Sequence, residues 1–182
     1  MTTKVLVAGD VRGSLQQLFA RVTTVHESKG PFDCLLCVGD FFGPEASSTL
    51  SILQSGELKA PVPIYILGPP PSGSPAPDSD GKSEVCPDVY CLHGAGILTL
   101  HNLRVAFTDS CPTLPGTMPT TDAVAELRRR AAEKGFLGCD ALLTHEWPRG
   151  FCRNLADDAI PVSCCVTSGL SPLVEHMFAA CT

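Results

Sequence analysis

Apolar positions along this chain follow two kinds of spacing, and each kind predicts a different secondary structure. Short runs that are almost wholly apolar predict buried strands: KVLVAG at 4–9, CLLCVG at 34–39, PVPIYILG at 61–68 and CDALLTH at 139–145. Apolar residues three or four positions apart predict a helix from Leu15 through Leu18, Phe19 and Val22 to Val25, and a weaker helix lies around 49–53. Such alternation indicates an α/β fold with a mainly parallel sheet that is covered on both faces.

Small and polar residues predict where the helices begin and end. Ser14 is expected to cap the first helix, Gln17 is placed to complete a capping box, and Gly30 is expected to close the helix. The segment TDAVAELRRRAAEKG predicts a later helix, with Thr121 as its N-cap and Gly135 past its end.

The rest of the chain predicts a long loop, a hairpin and a basic helix face. Residues 68–88 contain six prolines among serines and glycines, so they predict an irregular, partly polyproline-like loop. The following GILTLHNLRVAFT predicts two strands joined by a tight turn at His101 and Asn102. Three consecutive arginines at 128–130 are interpreted as a solvated helix face, because consecutive helical residues cannot all point into a core.

Composition fits one domain over residues 1–182 and argues against several classes of protein. The chain is 44% apolar, which is enough for a sizeable core. Its net charge of −6 argues against a sequence-blind nucleic-acid binder, since such domains are usually basic. No apolar run is long enough to span a membrane and no signal peptide precedes the first strand, so the cytosol or nucleus is expected rather than secretion.

Ten cysteines suggest a disulfide or metal framework, but their spacing favours free thiols. Cys34 and Cys37 form a C-x-x-C inside an apolar strand, which would point them to opposite faces of a sheet. No second C-x-x-C is present to complete a zinc ribbon. We therefore expect reduced thiols, many of them buried as small apolar residues.

Unusual residues follow several of the predicted strands. Asp10, Asp40, Gly68 and His145 each stand at or just past a strand's C-terminal end, where functional residues of parallel sheets collect. A carboxylate at such a turn is a common place for a metal or phosphate site. However, Arg12 lies two residues past Asp10, and a guanidinium stays protonated and cannot bind a cation.

The segments GDVRG, VGDFFG, ILGPPP and LLTHEWPRG resemble, in this order, the first four motifs of the calcineurin-like metallophosphoesterases: D-x-H, G-D, G-N-H and H. The last segment resembles the form found in the RNA lariat debranching enzyme, with histidine, an acidic residue and then Trp-Pro. Over most of residues 4–150 the chain resembles the N-terminal domain of the CwfJ family (Cwf nineteen-like proteins), a relative of that enzyme. The resemblance implies a layered αββα sandwich, incomplete here at the C-terminus and without the family's C-terminal histidine-triad-like domains.

The same resemblance implies which residues would form a two-metal site. Asp10 and Asp40 would be ligands, with Asp40 bridging the two cations, and His145 would bind the second ion. The departures are an arginine at Arg12, prolines at 69–70 where the third motif has Asn-His, and Cys181 near the place of the final histidine motif.

We interpret Asp10, Arg12, Asp40 and His145 as a vestigial site, in which Arg12 neutralises both carboxylates in a partly buried turn and no metal is expected. No catalytic residue is assigned. Arg149, like Arg12, is a candidate contact for a phosphate or a partner. Three alternatives stay open for these residues. The two aspartates could simply bind loop amides, His145 could only anchor a turn, and Arg149 could contact nothing.

The resemblance implies a non-catalytic, nuclear protein-interaction module of RNA processing, with the lariat debranching enzyme and late spliceosome proteins as partners. The acidic charge favours a protein partner over direct RNA contact. One alternative is a metal-dependent phosphodiesterase acting on RNA or nucleotides with Mn, Fe or Zn. Another is a nucleotide-binding α/β domain, which the lack of G-x-G-x-x-G and P-loop motifs disfavours. The remaining histidines show no partner pattern: His26, His93, His101 and His176.

Overall fold

A computed structural model of the chain describes residues 2–109 and 120–145, which form a mixed α/β fold of two sheets and three helices. The elements are β1 (Val5–Ala8), α1 (Leu15–Lys29), β2 (Cys34–Cys37), α2 (Ala46–Ser55), β3 (Ile64–Leu67), β4 (Lys82–Cys86), β5 (Val89–Leu92), β6 (Ala95–Leu100), β7 (Leu103–Thr108), α3 (Thr120–Ala131) and β8 (Ala141–Thr144).

The larger sheet has five strands in the order β1-β2-β3-β5-β4. Its first four strands run parallel, with Val7 opposite Leu36 and Ile66 opposite Cys91, and β4 pairs antiparallel with β5. The smaller sheet has the order β6-β7-β8, in which β7 and β8 are parallel. The predicted mainly parallel sheet is confirmed.

Three apolar clusters separate the layers of the fold. Helices α1 and α2 pack on one face of the five-stranded sheet, with Phe19 and Leu53 among the residues buried there. The other face packs against the three-stranded sheet, where Leu67 meets Phe107 and its neighbours. Helix α3 places Leu127 on the outer face of the smaller sheet. The layers therefore run from helices through two sheets to a helix.

The first helix buries the predicted face and lies between Ser14 and Gly30 as predicted, but the details of its two ends differ from the prediction. Leu15, Phe19 and Val22 are buried. The side chain of Ser14 makes no capping hydrogen bond, so the predicted capping box is wrong. Backbone bonds serve the first turn instead, since the Leu15 N–H donates to Gly13 and the Leu18 N–H donates to Ser14. The helix ends before Gly30, and this glycine adopts an extended rather than a left-handed conformation.

The predicted irregular loop over 68–88 is too long, because β4 forms within it. In β4, Ser83 and Val85 are buried while Glu84 between them is exposed, which is the alternation of an edge strand. The prolines and glycines before it obscured this pattern. Strand β5 follows at once through a turn with Asp88 at φ +64°, and its four residues were not predicted as a strand.

Later elements follow the prediction with two corrections. The turn at His101 and Asn102 is confirmed, with φ of +47° and +72°, as a two-residue hairpin turn requires. Helix α3 begins at Thr120, so Thr121 lies inside its first turn and is not the N-cap. Arg130 is also not a solvated residue. Its side chain is only 19% exposed and pairs with Glu126 and Asp80, the latter in the loop before β4.

The cysteines of the described residues are free thiols, as expected: Cys34, Cys37, Cys86, Cys91 and Cys139. Cys34 and Cys37 lie in different apolar clusters, on opposite faces of the sheet as the strand period predicts. Burial raises the pKa of Cys37 and of Cys91 to about 12, which keeps both protonated and unreactive. No helix within residues 2–109 and 120–145 is long and apolar enough to cross a membrane.

Candidate functional site

The turn after β1 is bonded to the turn after β2 through their backbones. The Arg12 N–H donates to the Asp40 carbonyl oxygen and the Gly13 N–H donates to that of Phe41, each over 2.9 Å. Arg12 adopts φ +50°, a left-handed conformation that is uncommon for arginine. A Cβ on Gly43 would lie 2.7 Å from the Arg12 carbonyl carbon, so glycine there permits the close approach. The two turns form one unit.

Both carboxylate oxygens of Asp10 are engaged within that unit. Oδ1 accepts the Asp40 N–H at 2.9 Å, and Oδ2 lies 3.2 Å from Nη2 of Arg12. The Asp40 carboxylate in turn accepts the Gly43 N–H at 2.8 Å. Both aspartates thus bind loop amides, which is the alternative that the sequence left open for them.

Within the described part of the chain, the Arg12 guanidinium pairs with Asp10 and not with Asp40. Among residues 2–109 and 120–145, Asp40 forms no ion pair. The Arg12 and Asp10 side chains are 69% and 53% exposed, so their pair lies at the surface and not in the partly buried turn we expected. The cause is the geometry of the turn, which places the Arg12 backbone, and not its guanidinium, against Asp40.

His145 follows β8 and joins the smaller sheet to this unit. Its Nδ1 accepts the Gly39 N–H at 3.1 Å. Its Nε2 is buried and has no hydrogen-bond partner among the described residues. Burial lowers the pKa of His145, opposed by the carboxylates of Asp109 and Asp10. The imidazole is therefore neutral at pH 7, with its proton on Nε2 because Nδ1 accepts a bond.

A second pair, which the sequence did not reveal, lies at the same edge of the sheets. His93 follows β5, Asp109 follows β7, and Nδ1 of the first lies 2.5 Å from Oδ2 of the second. Asp109 is fully buried, and the His93 side chain is 34% exposed. The hydrogen bond to Asp109 raises the pKa of His93, while burial opposes the shift. The available signal in the sequence was that each residue stands just past a strand. His93 could not be recognised in this way, because β5 was not predicted.

The described residues do not fit a two-metal centre. Such a centre needs several carboxylate and imidazole ligands around each ion, and no group of three or more His, Cys, Asp or Glu within residues 2–109 and 120–145 is placed to hold one. Both carboxylate oxygens of Asp10 and Nδ1 of His145 are instead bonded to protein groups. The predicted Arg149 and Cys181, and the motif residues at 146–148, lie outside the described part of the chain.

A cavity of about 710 Å³ opens beside His145. Its walls are residues 39–44 and 46–47 on one side and residues 66–72 on the other. Gly68 is therefore at the site, as the position of its strand end predicted. The volume falls within the range of ~300–1,000 Å³ that is usual for ligand pockets.

The chain is similar in sequence to longer curated proteins. It is 34% identical to zinc finger CCCH domain-containing protein 59 of Oryza sativa subsp. japonica, over 97% of this chain and 31% of that protein. It is 32% identical to the CWF19-like protein 1 homolog of Drosophila melanogaster, over 81% of this chain and 30% of that protein. It is also 32% identical to CWF19-like protein 1 of Homo sapiens, over 80% and 28%. The chain thus spans about a third of the length of these relatives. No family model matches it.

Proposed function

We propose that this chain is related to the CWF19-like family and is a non-catalytic interaction module of pre-mRNA splicing. Its similarity to CWF19-like proteins supports the relation to that family. Its fold is proposed to be the metallophosphoesterase-like αββα sandwich, which the four observed layers support. Its place is the nucleus, in late spliceosome complexes and in intron lariat debranching. The proposed partners are the lariat debranching enzyme and late spliceosome proteins.

The observation that carries the non-catalytic part of this proposal is the state of Asp10. A two-metal phosphoesterase needs that carboxylate free to bind a cation. Here one oxygen accepts the Asp40 amide and the other pairs with Arg12, whose permanent positive charge repels cations. A turn that is held by these bonds keeps its shape without a metal, which supports a shell that retains the fold and has lost the catalyst.

The alternative is a metal-dependent phosphodiesterase acting on RNA or nucleotides. The strand ends still gather Asp10, Asp40 and His145 at one edge, and these residues would be the ligands if Mn, Fe or Zn bound there. Against the alternative, Nδ1 of His145 accepts an amide of the loop after β2, and its Nε2 is enclosed by protein.

A paired experiment separates these functions. The purified chain is titrated against purified lariat debranching enzyme from the same organism, and is separately incubated with 2′,5′-branched RNA with and without Mn²⁺. The proposal expects saturable binding and no hydrolysis above the level of buffer. Hydrolysis that needs Mn²⁺ and disappears in Asp40→Asn would establish the alternative, and absence of binding would remove the debranching enzyme as partner.

A further inference from the structure

The cavity beside His145 has apolar walls that are fixed by the core. Phe41 and Leu67 line it and are themselves buried in the two apolar clusters on either side of the larger sheet. The Phe42 ring packs edge-on against Phe41 with centroids 5.1 Å apart, and the Phe42 carbonyl accepts the Thr49 hydroxyl. Prolines at 69–71 form the opposite wall. The cavity is therefore already formed and needs little ordering to accept a ligand.

The charge around this cavity is negative. Asp40 lines it and forms no ion pair within the described residues. Glu45 lies between the lining residues Pro44 and Ala46, is exposed, and makes no hydrogen bond to cap α2. Among the lining residues that the structure describes, none is a lysine or arginine, and burial keeps His145 neutral. The partial positive charge at the start of α2 is about half a unit, which is smaller than the combined negative charge of the two carboxylates beside it.

These properties select one kind of occupant. A nucleic-acid strand brings a phosphate every few ångströms, and it would be repelled by Asp40 and Glu45. A protein segment with a large apolar side chain next to a lysine or arginine complements the site. The apolar group would enter between the phenylalanine and proline walls, and the cation would reach Asp40.

We propose that this cavity is the docking site for an extended segment of a protein partner, in which a large apolar residue lies beside a basic one. The inference rests on the proposed function as an interaction module and names the surface that this module uses.

The test uses a random dodecapeptide library displayed on phage and selected on the full chain. Selected peptides are synthesised and their affinities are measured by fluorescence anisotropy. We expect enrichment of a large apolar residue beside lysine or arginine. Asp40→Asn, which keeps the oxygen that accepts the Gly43 amide, should weaken binding about fivefold, as loss of one exposed ion pair does. Glu27→Gln, on the exposed face of α1, should leave binding unchanged.

Two bulky substitutions provide a matched steric test. Ser47 lines the cavity, whereas Ser48 is exposed on the same helix and does not line it. Ser47→Trp should abolish peptide binding and Ser48→Trp should not, with equal thermal unfolding midpoints of the two variants showing that both fold.

Three results would overturn the docking proposal: equal binding by both tryptophan variants, a selection that yields acidic peptides or no cavity-dependent binder, or displacement of the peptide by a single-stranded RNA of equal length. Loss of peptide binding in Ser47→Trp with unchanged binding to the debranching enzyme would place that partner elsewhere on the chain. Peptide binding tests the docking site and binding of the debranching enzyme tests the proposed function, so a failure of one can be told from a failure of the other.

Discussion

The imidazole of His93 and the carboxylate of Asp109 are bonded across the two sheets, with Nδ1 and Oδ2 2.5 Å apart. His93 directly follows a strand of the larger sheet, Asp109 directly follows a strand of the smaller one, and the carboxylate is fully buried. The pair therefore ties the layers together at the edge where the site lies.

This pair should make stability depend on pH. Asp109 raises the pKa of His93 above its ordinary value of 6.5, so the stabilisation is fully present below pH 6.5 and is lost as the pH rises through the higher folded-state value. His93→Gln should lower the free energy of unfolding by about 1–2 kcal/mol at pH 6, a value discounted because a third of the side chain is exposed. The loss should be smaller at pH 9.

Urea unfolding of both proteins at pH 6 and pH 9 measures this difference. His145, whose pKa burial lowers, is present in both proteins, so its own titration cancels in the comparison. An equal loss of stability at the two pH values would show that the pair carries no charge-dependent stabilisation.

The sequence allowed most of the fold to be predicted where burial leaves a strong pattern. Strands such as β2 and β3 are apolar throughout because both of their faces are covered, and α1 shows its buried face clearly. Strand β4 was missed because it lies at a sheet edge, with exposed Glu84 and a proline-rich segment before it.

The candidate site was also predictable in part. Asp10 and Asp40 could be expected to meet because they follow parallel neighbouring strands of one sheet. His145 follows a strand of the smaller sheet, and the packing of the two sheets brings it to the same place. The orientation of the Arg12 guanidinium could not be predicted, because it depends on a left-handed backbone conformation that no residue pattern in the turn requires. His93 could not be paired with Asp109 before the registers of both sheets were known.

Removing the guanidinium of Arg12 should cost little. Because the Arg12 and Asp10 side chains are more than half exposed, Arg12→Ala should change the free energy of unfolding by under about 1 kcal/mol. Arg12→Gly should be more stable than Arg12→Ala by about 1 kcal/mol, because φ of +50° suits glycine. Thermal unfolding of the three proteins checks both statements. A loss of ~3–5 kcal/mol in Arg12→Ala would instead indicate a buried pair.

The proline-rich loop should be the first site of proteolysis, within residues 69–81 and not in β4. Arg130 ties this loop to α3 through the Asp80 carboxylate and the Ser79 carbonyl oxygen, at 3.4 and 3.1 Å. Arg130→Ala should therefore speed cleavage of the loop by proteinase K several-fold. Arg129→Ala is the matched control, because Arg129 also pairs with Glu126 but does not contact the loop. First cleavage within β4, or equal rates for the two variants, would contradict this assignment.

The central claim is that Asp10, Arg12, Asp40 and His145 form a shell that keeps its shape without metal. Isothermal titration of the purified, chelator-treated chain with Mn²⁺, followed by elemental analysis after dialysis, tests it most directly. We predict no tight binding, no retained Mn, Fe or Zn at stoichiometric levels, and an unfolding midpoint that Mn²⁺ does not raise. Two tightly held ions per chain, lost together in Asp40→Asn, would contradict the claim.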